Sequence, residues 1–446
     1  VKKATKFLEL IEPRLGFPAP SGLSEHDMVQ RMLKASAGYT GRMMHLVKKA
    51  AFRAIRSGAP SISQLDHLAF VFDEIFYATQ GWEVSRTGVE QGSVVHPPLA
   101  KWLLAVGIKL FGFTPFGWRI VPLMAGVLVV AATVIAAARL FDNLWAAALA
   151  GAVVLTDGIA FTSGRLALLD GIVAAFTTVA LALAAAIIAR PLDVPLRRRL
   201  TPIVGLALGA AVACKWSALP LLPVVVVLLA VLSWRTTDRG LVFRRELARI
   251  AIRLVAIPLA LYACTYVPTF VRFDDSAIGR ERCARTHDCD AGYLERVGEI
   301  VRNQTTVWHF HESLTPRNRY ANNAVSWVFQ TEPVALLSSR CPSADPVCSP
   351  GDRTSVRRVV SIGNPAVWVL GTIAAIAILF LALWYHDLRR ALIAAWVTVL
   401  WLPWVVRPHL GALPLAAARP GYTFYATPLV PAIALAIASA WSALRG

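Results

Sequence analysis

Two adjacent carboxylates, Asp73-Glu74, stand ahead of His96-Pro97-Pro98 and Lys101, and a long apolar chain follows them. Carboxylates at the mouth of a membrane protein are costly to desolvate. One held near apolar surface has its pKa raised toward that of a working base. Further on, Arg165 and Lys215 sit at the outer ends of predicted spans, where an unpaired cation is also costly. For Arg165 the partner is either a bound anion or Asp170, five residues on; Lys215 either holds an anion or snorkels to the interface. His309 and His311 alternate, so on a strand they would share a face. No third ligand is placed beside them, and no metal is expected. His96 reads equally as a positioning group or as a structural cap before Pro97-Pro98.

The elements that must position these groups follow from composition. The chain has 446 residues, is 56% hydrophobic and has a mean hydropathy of +0.56, which excludes an ordinary soluble protein. Several runs exceed about 18 apolar residues, enough to cross the hydrocarbon. Their Ala, Leu and Val content does not suit a β-barrel. The fold class is an all-α polytopic membrane protein with about nine visible spans. The net charge of +18 does not imply nucleic acid, because the arginines cluster in short loops as the positive-inside rule requires, where they also meet anionic lipid head groups. The 14 tryptophans read mostly as interfacial belts, with Trp308 or Trp327 able to stack on a sugar or an acceptor.

The spans are expected at 117–141, 144–163, 168–189, 201–215, 217–234, 250–270, 364–385, 391–406 and 421–443. Alternating them puts the basic loops 190–200, 234–253 and 386–390 on one side, which is therefore cytoplasmic. The nearly neutral loop 271–362, with twelve Arg and eleven acids, then lies outside. Cysteines argue the same way. Cys214 and Cys264 lie in apolar segments and read as packing residues. Cys283, Cys289, Cys341 and Cys348 share the long loop and read as two disulfides of open connectivity on an oxidising face. A metal site is the other reading, and the lack of any Cys-x-x-Cys spacing stands against it. Five regions result: 1–65, 66–116 with the acidic pair and amphipathic helices, 117–270, 271–362 and 363–446. Residues 1–65 carry eleven Lys/Arg against four Asp/Glu. They show no signal-peptide pattern and read as a basic surface segment, or as standing in for a first span that the alternation requires before Asp73.

Taken in order, the motifs resemble the protein O-mannosyltransferase family. That family shows an acidic pair, an HPPLGK-like motif, PFGWR, DG…SR.A.LD, a stretch ending in KWS, and FH..L in the outer loop. Here these are Asp73-Glu74, His96 to Lys101, Pro115-Phe116-Gly117-Trp118-Arg119, Asp157-Gly158 through Arg165 to Asp170, Gly205 to Lys215-Trp216-Ser217, and Trp308 to Leu314. Asn364-Pro365 opens the next span, and Tyr422-Thr423-Phe424-Tyr425 with Pro428 and Pro431 opens the last. The likeness runs from about 71 to 443. It departs in three places: the family's span before the acidic pair has no counterpart, Gly164 stands where a QSR-type residue is usual, and the outer loop is shorter than in eukaryotic members, whose loop holds a β-trefoil domain. The last points to a bacterial enzyme.

The resemblance implies a GT-C bundle in the plasma membrane of a bacterium, active at its external face. The reaction implied is metal-independent, inverting transfer of mannose from polyprenyl-phosphate-mannose to Ser or Thr of exported proteins, met near the secretion translocon. No cofactor is expected, and the partners are the lipid-linked donor, protein acceptors and membrane lipids. Asp73 would be the general base, with a capping or ion-pairing role as the alternative. Glu74 would hold acceptor or base, or be simply solvated at the interface. Arg165 and Lys215 would bind the donor phosphate. His96, Lys101, Asp170, His309 and His311 would position substrates. Three other readings stay open: a GT-C enzyme moving another sugar, such as arabinose, to a lipid or glycan; a transporter; and an inactive partner subunit.

Overall fold

The computed structural model describes residues 70–92, 94–237, 240–313, 322–340, 356–406 and 421–445. The basic segment 1–65 and the cysteines Cys341 and Cys348 lie outside the described residues. The elements below all belong to one contact unit, Val71–Gly446.

Capping side chains fix where the helices begin. Helix α1 (Glu74–Thr87) starts at the acidic pair and α2 (Leu99–Phe111) behind Pro98. Thr114 caps α3 (Pro115–Phe141), accepting from the Gly117 amide at 3.1 Å. Pro115 takes the first position, where a missing N–H is no loss. Asn143 caps α4 (Leu144–Thr156) and Asp157 caps α5 (Gly158–Ser163). Helix α6 (Leu169–Ala189) leads to α7 (Val194–Cys214), capped by Asp193. A 3-10 turn at Trp216–Ala218 precedes α8 (Leu221–Thr236). Helix α9 (Leu241–Ala251) runs through a π-helical turn, Ile252–Ala256, into α10 (Ile257–Cys264). The outer segment supplies α11 (Ala277–Thr286), α12 (Tyr293–Glu312) and an antiparallel pair, β1 (Val334–Arg340) with β2 (Val356–Ser361). Asn364 then caps α13 (Pro365–Tyr385), followed by α14 (Leu388–Val406), a 3-10 stretch at Thr423–Leu429 and α15 (Val430–Arg445).

Among the described residues, seven helical segments are long and apolar enough to cross a membrane: α3, α6, Trp216–Thr236, Leu241–Cys264, α13, α14 and Thr423–Leu444. The sequence predicts nine, and two of those do not qualify. Segment 144–163 is broken, because Asp157 ends the 13-residue α4 and caps α5. Segment 201–215 is the second half of α7, whose first turns carry Arg197, Arg198 and Arg199. The protein is a multi-pass membrane bundle all the same. Its hub is α6, 72% buried, which packs along α3 and α7.

The β pair adds a small sheet that the helical pattern does not announce. Its register runs from Val334 opposite Ser361 to Arg340 opposite Val356, with a shift between Ala335 and Leu337. Val334 and Leu336 join Val71, Leu166, Leu168 and Phe424 in one apolar cluster. Each such side chain contributes roughly 1.5–3 kcal/mol on burial, so the cluster ties the acidic loop, the segment after Arg165, the hairpin and the start of the last span together. Cys283 and Cys289 form a disulfide. Cys214 is buried, but Cys264 is exposed rather than packed inside.

Candidate active site

The two adjacent carboxylates have opposite fates. Glu74 is fully buried and its oxygens are taken. Oε1 accepts from Arg119 Nε at 2.8 Å and from the Ala167 amide at 2.9 Å; Oε2 accepts from Arg119 Nη2 at 2.6 Å and the Val71 amide at 2.8 Å. Four donors and a forked guanidinium satisfy a buried carboxylate. Glu74 is thus a clamp between the 71–74 turn, the start of α3 and the 165–168 segment, and interface solvation does not describe it.

Asp73 stands at the N-cap position of α1 but makes no capping bond, and among the described residues it has no ion pair. It is half-buried. Burial pushes its carboxyl up to about 6; Lys215 opposes the rise and Asp170 adds to it. The turn that delivers it is strained. Phe72 has φ +53°, a left-handed conformation that costs a bulky residue about 1–3 kcal/mol. Aromatic packing holds it there, with Phe72 edge-on to Phe424 at 5.5 Å and to Tyr422 at 6.4 Å.

Asp170 and Lys215 meet each other. Lys215 Nζ lies 2.7 and 2.9 Å from the two Asp170 oxygens and 4.1 Å from the Tyr425 ring centroid. Both side chains are buried. Lys215 therefore neither snorkels to solvent nor stands as an open cation, and Asp170 is not the partner of Arg165. Arg165 is exposed, its guanidinium 3.6 Å over the Phe161 ring, with no ion pair among the described residues. Beside it, an apolar groove of about 160 Å³ opens between α3 and the α4–α5 segment, lined by Leu123, Val127, Leu155, Phe161 and Gly164 among others.

The His-Pro-Pro-Lys motif is mostly structural. Lys101 is buried against Glu90, forming an ion pair, and donates to the His96 carbonyl at 2.8 Å. Burial holds the Glu90 carboxyl above its ordinary range while Lys101 opposes it. His96 is buried, its ring 5.0 Å from that of His311. His311 Nε2 donates to the Val95 carbonyl at 2.8 Å. His309 and His311 lie on a helix, α12, not a strand. Two residues apart on a helix they face different ways, and His309 is exposed beside Glu312. They do not form half a metal site. Trp327 is fully buried, its indole N–H donated to Asn322 Oδ1 at 2.9 Å, so it cannot stack on a substrate. Trp308 stays at the surface.

Two structural residues escape a reading by types alone. Glu90 is the partner that lets Lys101 be buried. Asp157 is completely buried; Oδ1 accepts from the Ile159 and Ala160 amides at 3.0 Å each, and Oδ2 from Trp368 Nε1 at 2.8 Å and the Asn364 amide at 3.3 Å. Next to it a Cβ on Gly158 would stand 2.1 Å from the Ile362 carbonyl oxygen, so only glycine fits. The Asp157-Gly158 step that opens the motif running to Asp170 is its trace in the sequence, and the capping role is what the types alone do not give.

With this geometry in view, comparison with known proteins is specific. The profile of the family described as dolichyl-phosphate-mannose-protein mannosyltransferase matches residues 113–273. A polyprenol-phosphate-mannose–protein mannosyltransferase of Mycolicibacterium smegmatis is 29% identical over 413 residues, 82% of this chain and 75% of that protein. Over these stretches the chain is similar to the protein mannosyltransferase family. Another relative of the same description, from Corynebacterium glutamicum, is 28% identical over 84% of this chain and 78% of its own length. Among solved structures, the S. cerevisiae Pmt1-Pmt2 complex bound to the sugar donor superposes with a TM-score of 0.64 at 12% identity, covering 93% of this chain and 87% of that one. Apo ArnT from Cupriavidus metallidurans gives 0.51 at 18% identity over 83% of this chain, which spans just over half, 55%, of the ArnT chain. These likenesses carry the fold: the chain has the polytopic membrane fold of the GT-C enzymes.

Proposed function

We propose that the chain transfers mannose from polyprenyl-phosphate-mannose to Ser or Thr hydroxyls of exported proteins, with Asp73 as general base. The observation that carries the reading is Asp73 itself: a carboxylate left uncommitted beside a fully clamped neighbour, with its pKa pushed up to about 6. Such a group is ionised at neutral pH yet basic enough to take a proton in the transition state. The acceptor oxygen attacks the anomeric carbon from the face opposite the phosphate. The bond from that carbon to the phosphate oxygen breaks, its electron pair stays with the phosphate, and the hydroxyl proton passes to Asp73. One displacement inverts the configuration.

Arg165 receives the developing phosphate charge, supported by its exposure and lack of an ion pair among the described residues. The apolar groove beside it takes the first part of the polyprenyl tail. The Lys215–Asp170 pair sets the field around Asp73 and binds no phosphate. No metal takes part. The names of the mycobacterial and corynebacterial relatives support both donor and acceptor class. The site end of the bundle faces outward from a bacterial plasma membrane, because the basic loops 190–200 and 386–390 lie at its other end, and acceptors are met there as the translocon delivers them.

The test uses membranes carrying the full chain, polyprenyl-phosphate-mannose labelled in the sugar, and two exported peptides, one rich in Ser and Thr and one with those residues replaced by Ala. Label in the first peptide alone is expected. Label in a lipid or glycan fraction instead overturns the acceptor; no transfer at all overturns the activity.

A further inference from the structure

We propose that a second lipid site, for an anionic phospholipid, lies at the end of the bundle away from Asp73. Helix α3 begins beside the Glu74 clamp through Arg119 and ends near Arg139, which at 1.5 Å per residue is about 30 Å away. There α3 and α6 part to leave a cleft of about 400 Å³, more than ten times the ~30 Å³ that a water occupies. Its walls are apolar, formed by Leu128, Ala131, Ile135 and Leu183 with Leu196 and Leu200 of α7. The two charged groups in the lining are Arg139 and Arg190. Both are exposed, and neither has an ion pair or side-chain hydrogen bond among the described residues.

The charge of this end is arranged for an anion. Two helix C-termini point here, and their exposed carbonyls would repel one. Arg389 covers them, donating to the Leu140 carbonyl at 3.1 Å and the Ala189 carbonyl at 3.3 Å. Arg139 and Arg190 are then left to face outward. An apolar slot open to the bilayer, with two unpaired guanidinium groups in its lining, matches one acyl chain and the phosphate of the same lipid. A zwitterionic phospholipid brings its own cation beside the phosphate, so two arginines favour a lipid of net negative charge, and a soluble phosphate would leave the slot unfilled.

The experiment is native mass spectrometry of the full chain released from nanodiscs of phosphatidylglycerol or phosphatidylcholine, with thermal midpoints read in parallel. Wild type should retain one phosphatidylglycerol, and that lipid should raise the midpoint where phosphatidylcholine does not. Arg139→Gln and Arg190→Gln should each weaken retention about fivefold. Ala131→Leu, which fills the slot from an exposed position, should abolish retention with the arginines intact, and mannosyl transfer should persist in all three. Equal retention of the two lipids, unchanged retention in the arginine variants, or an equal midpoint shift from inorganic phosphate alone would each overturn the proposal.

Discussion

Glu74 and Arg119, 45 positions apart, close a two-point fork at 2.8 and 2.6 Å, with Glu74 fully buried and Arg119 29% exposed. The fork fixes the turn that presents Asp73 against the first long span. Glu74→Gln removes the counter-ion and turns an amide N–H toward donors, so it should cost about 2–4 kcal/mol. Arg119→Lys keeps the charge but cannot fork, and should cost less. Thermal midpoints of the two variants, read against wild type in one detergent, check the order; a Glu74→Gln protein as stable as wild type would show that the fork is no clamp.

Asp73 sits on the other side of the ledger. Its folded-state pKa of about 6 exceeds its ordinary value of 3.8, so the folded protein binds more protons between those values, and stability falls as pH rises through that window. At neutral pH the ionised side chain therefore opposes folding. Asp73→Asn should raise stability at pH 7 by about 1–3 kcal/mol while lowering turnover about 10²–10⁴-fold. A variant that loses both stability and activity would point to a structural carboxylate instead.

The pH profile of kcat/KM should show a rising limb centred near 6, the point to which burial pushes the Asp73 carboxyl. Asp170 raises that value and Lys215 lowers it. Asp170→Asn should accordingly move the limb to lower pH. A limb that stays in place in this variant would mean that another group titrates.

Arg165 makes no ion pair among the described residues and rests only on Phe161. Arg165→Gln should leave the thermal midpoint unchanged. It should weaken capture of the donor about 10–100-fold, the worth of a charge-assisted bond to phosphate. Initial rates against donor concentration separate this from a fault in the acceptor side, where the peptide KM alone would rise.

The fold class, the helix starts at Pro115 and Asn364-Pro365, and the acidic pair are all legible in sequence, because caps, prolines and long apolar runs are local signals. Which of the two carboxylates is free is not a local property. It depends on Arg119, 45 residues from Glu74, and on an amide 93 residues from it. Lys215 and Asp170 look like two separate charges in the sequence and become one neutral pair across the same distance of 45 residues. A strand at His309 and His311 has only the alternation of two residues behind it. Leu294, Val297, Val301 and Trp308, all exposed on α12, keep a helical spacing over a longer window. Broken segment 144–163 shows the converse: hydropathy averages over Asp157, while the backbone stops at it.

Asp157 joins parts of the chain that hydropathy would treat as separate blocks. Its donors at 159 and 160 are neighbours, but Asn364 and Trp368 lie more than 200 positions on, beyond the stretch 113–273 that matches the family profile. That stretch is consequently no autonomous folding unit. Cut free, it would hold a buried carboxylate missing half of its donors and a Gly158 notch with nothing lodged in it. The stretch matched by the family profile and the stretch across which the protein is mechanically whole have different boundaries.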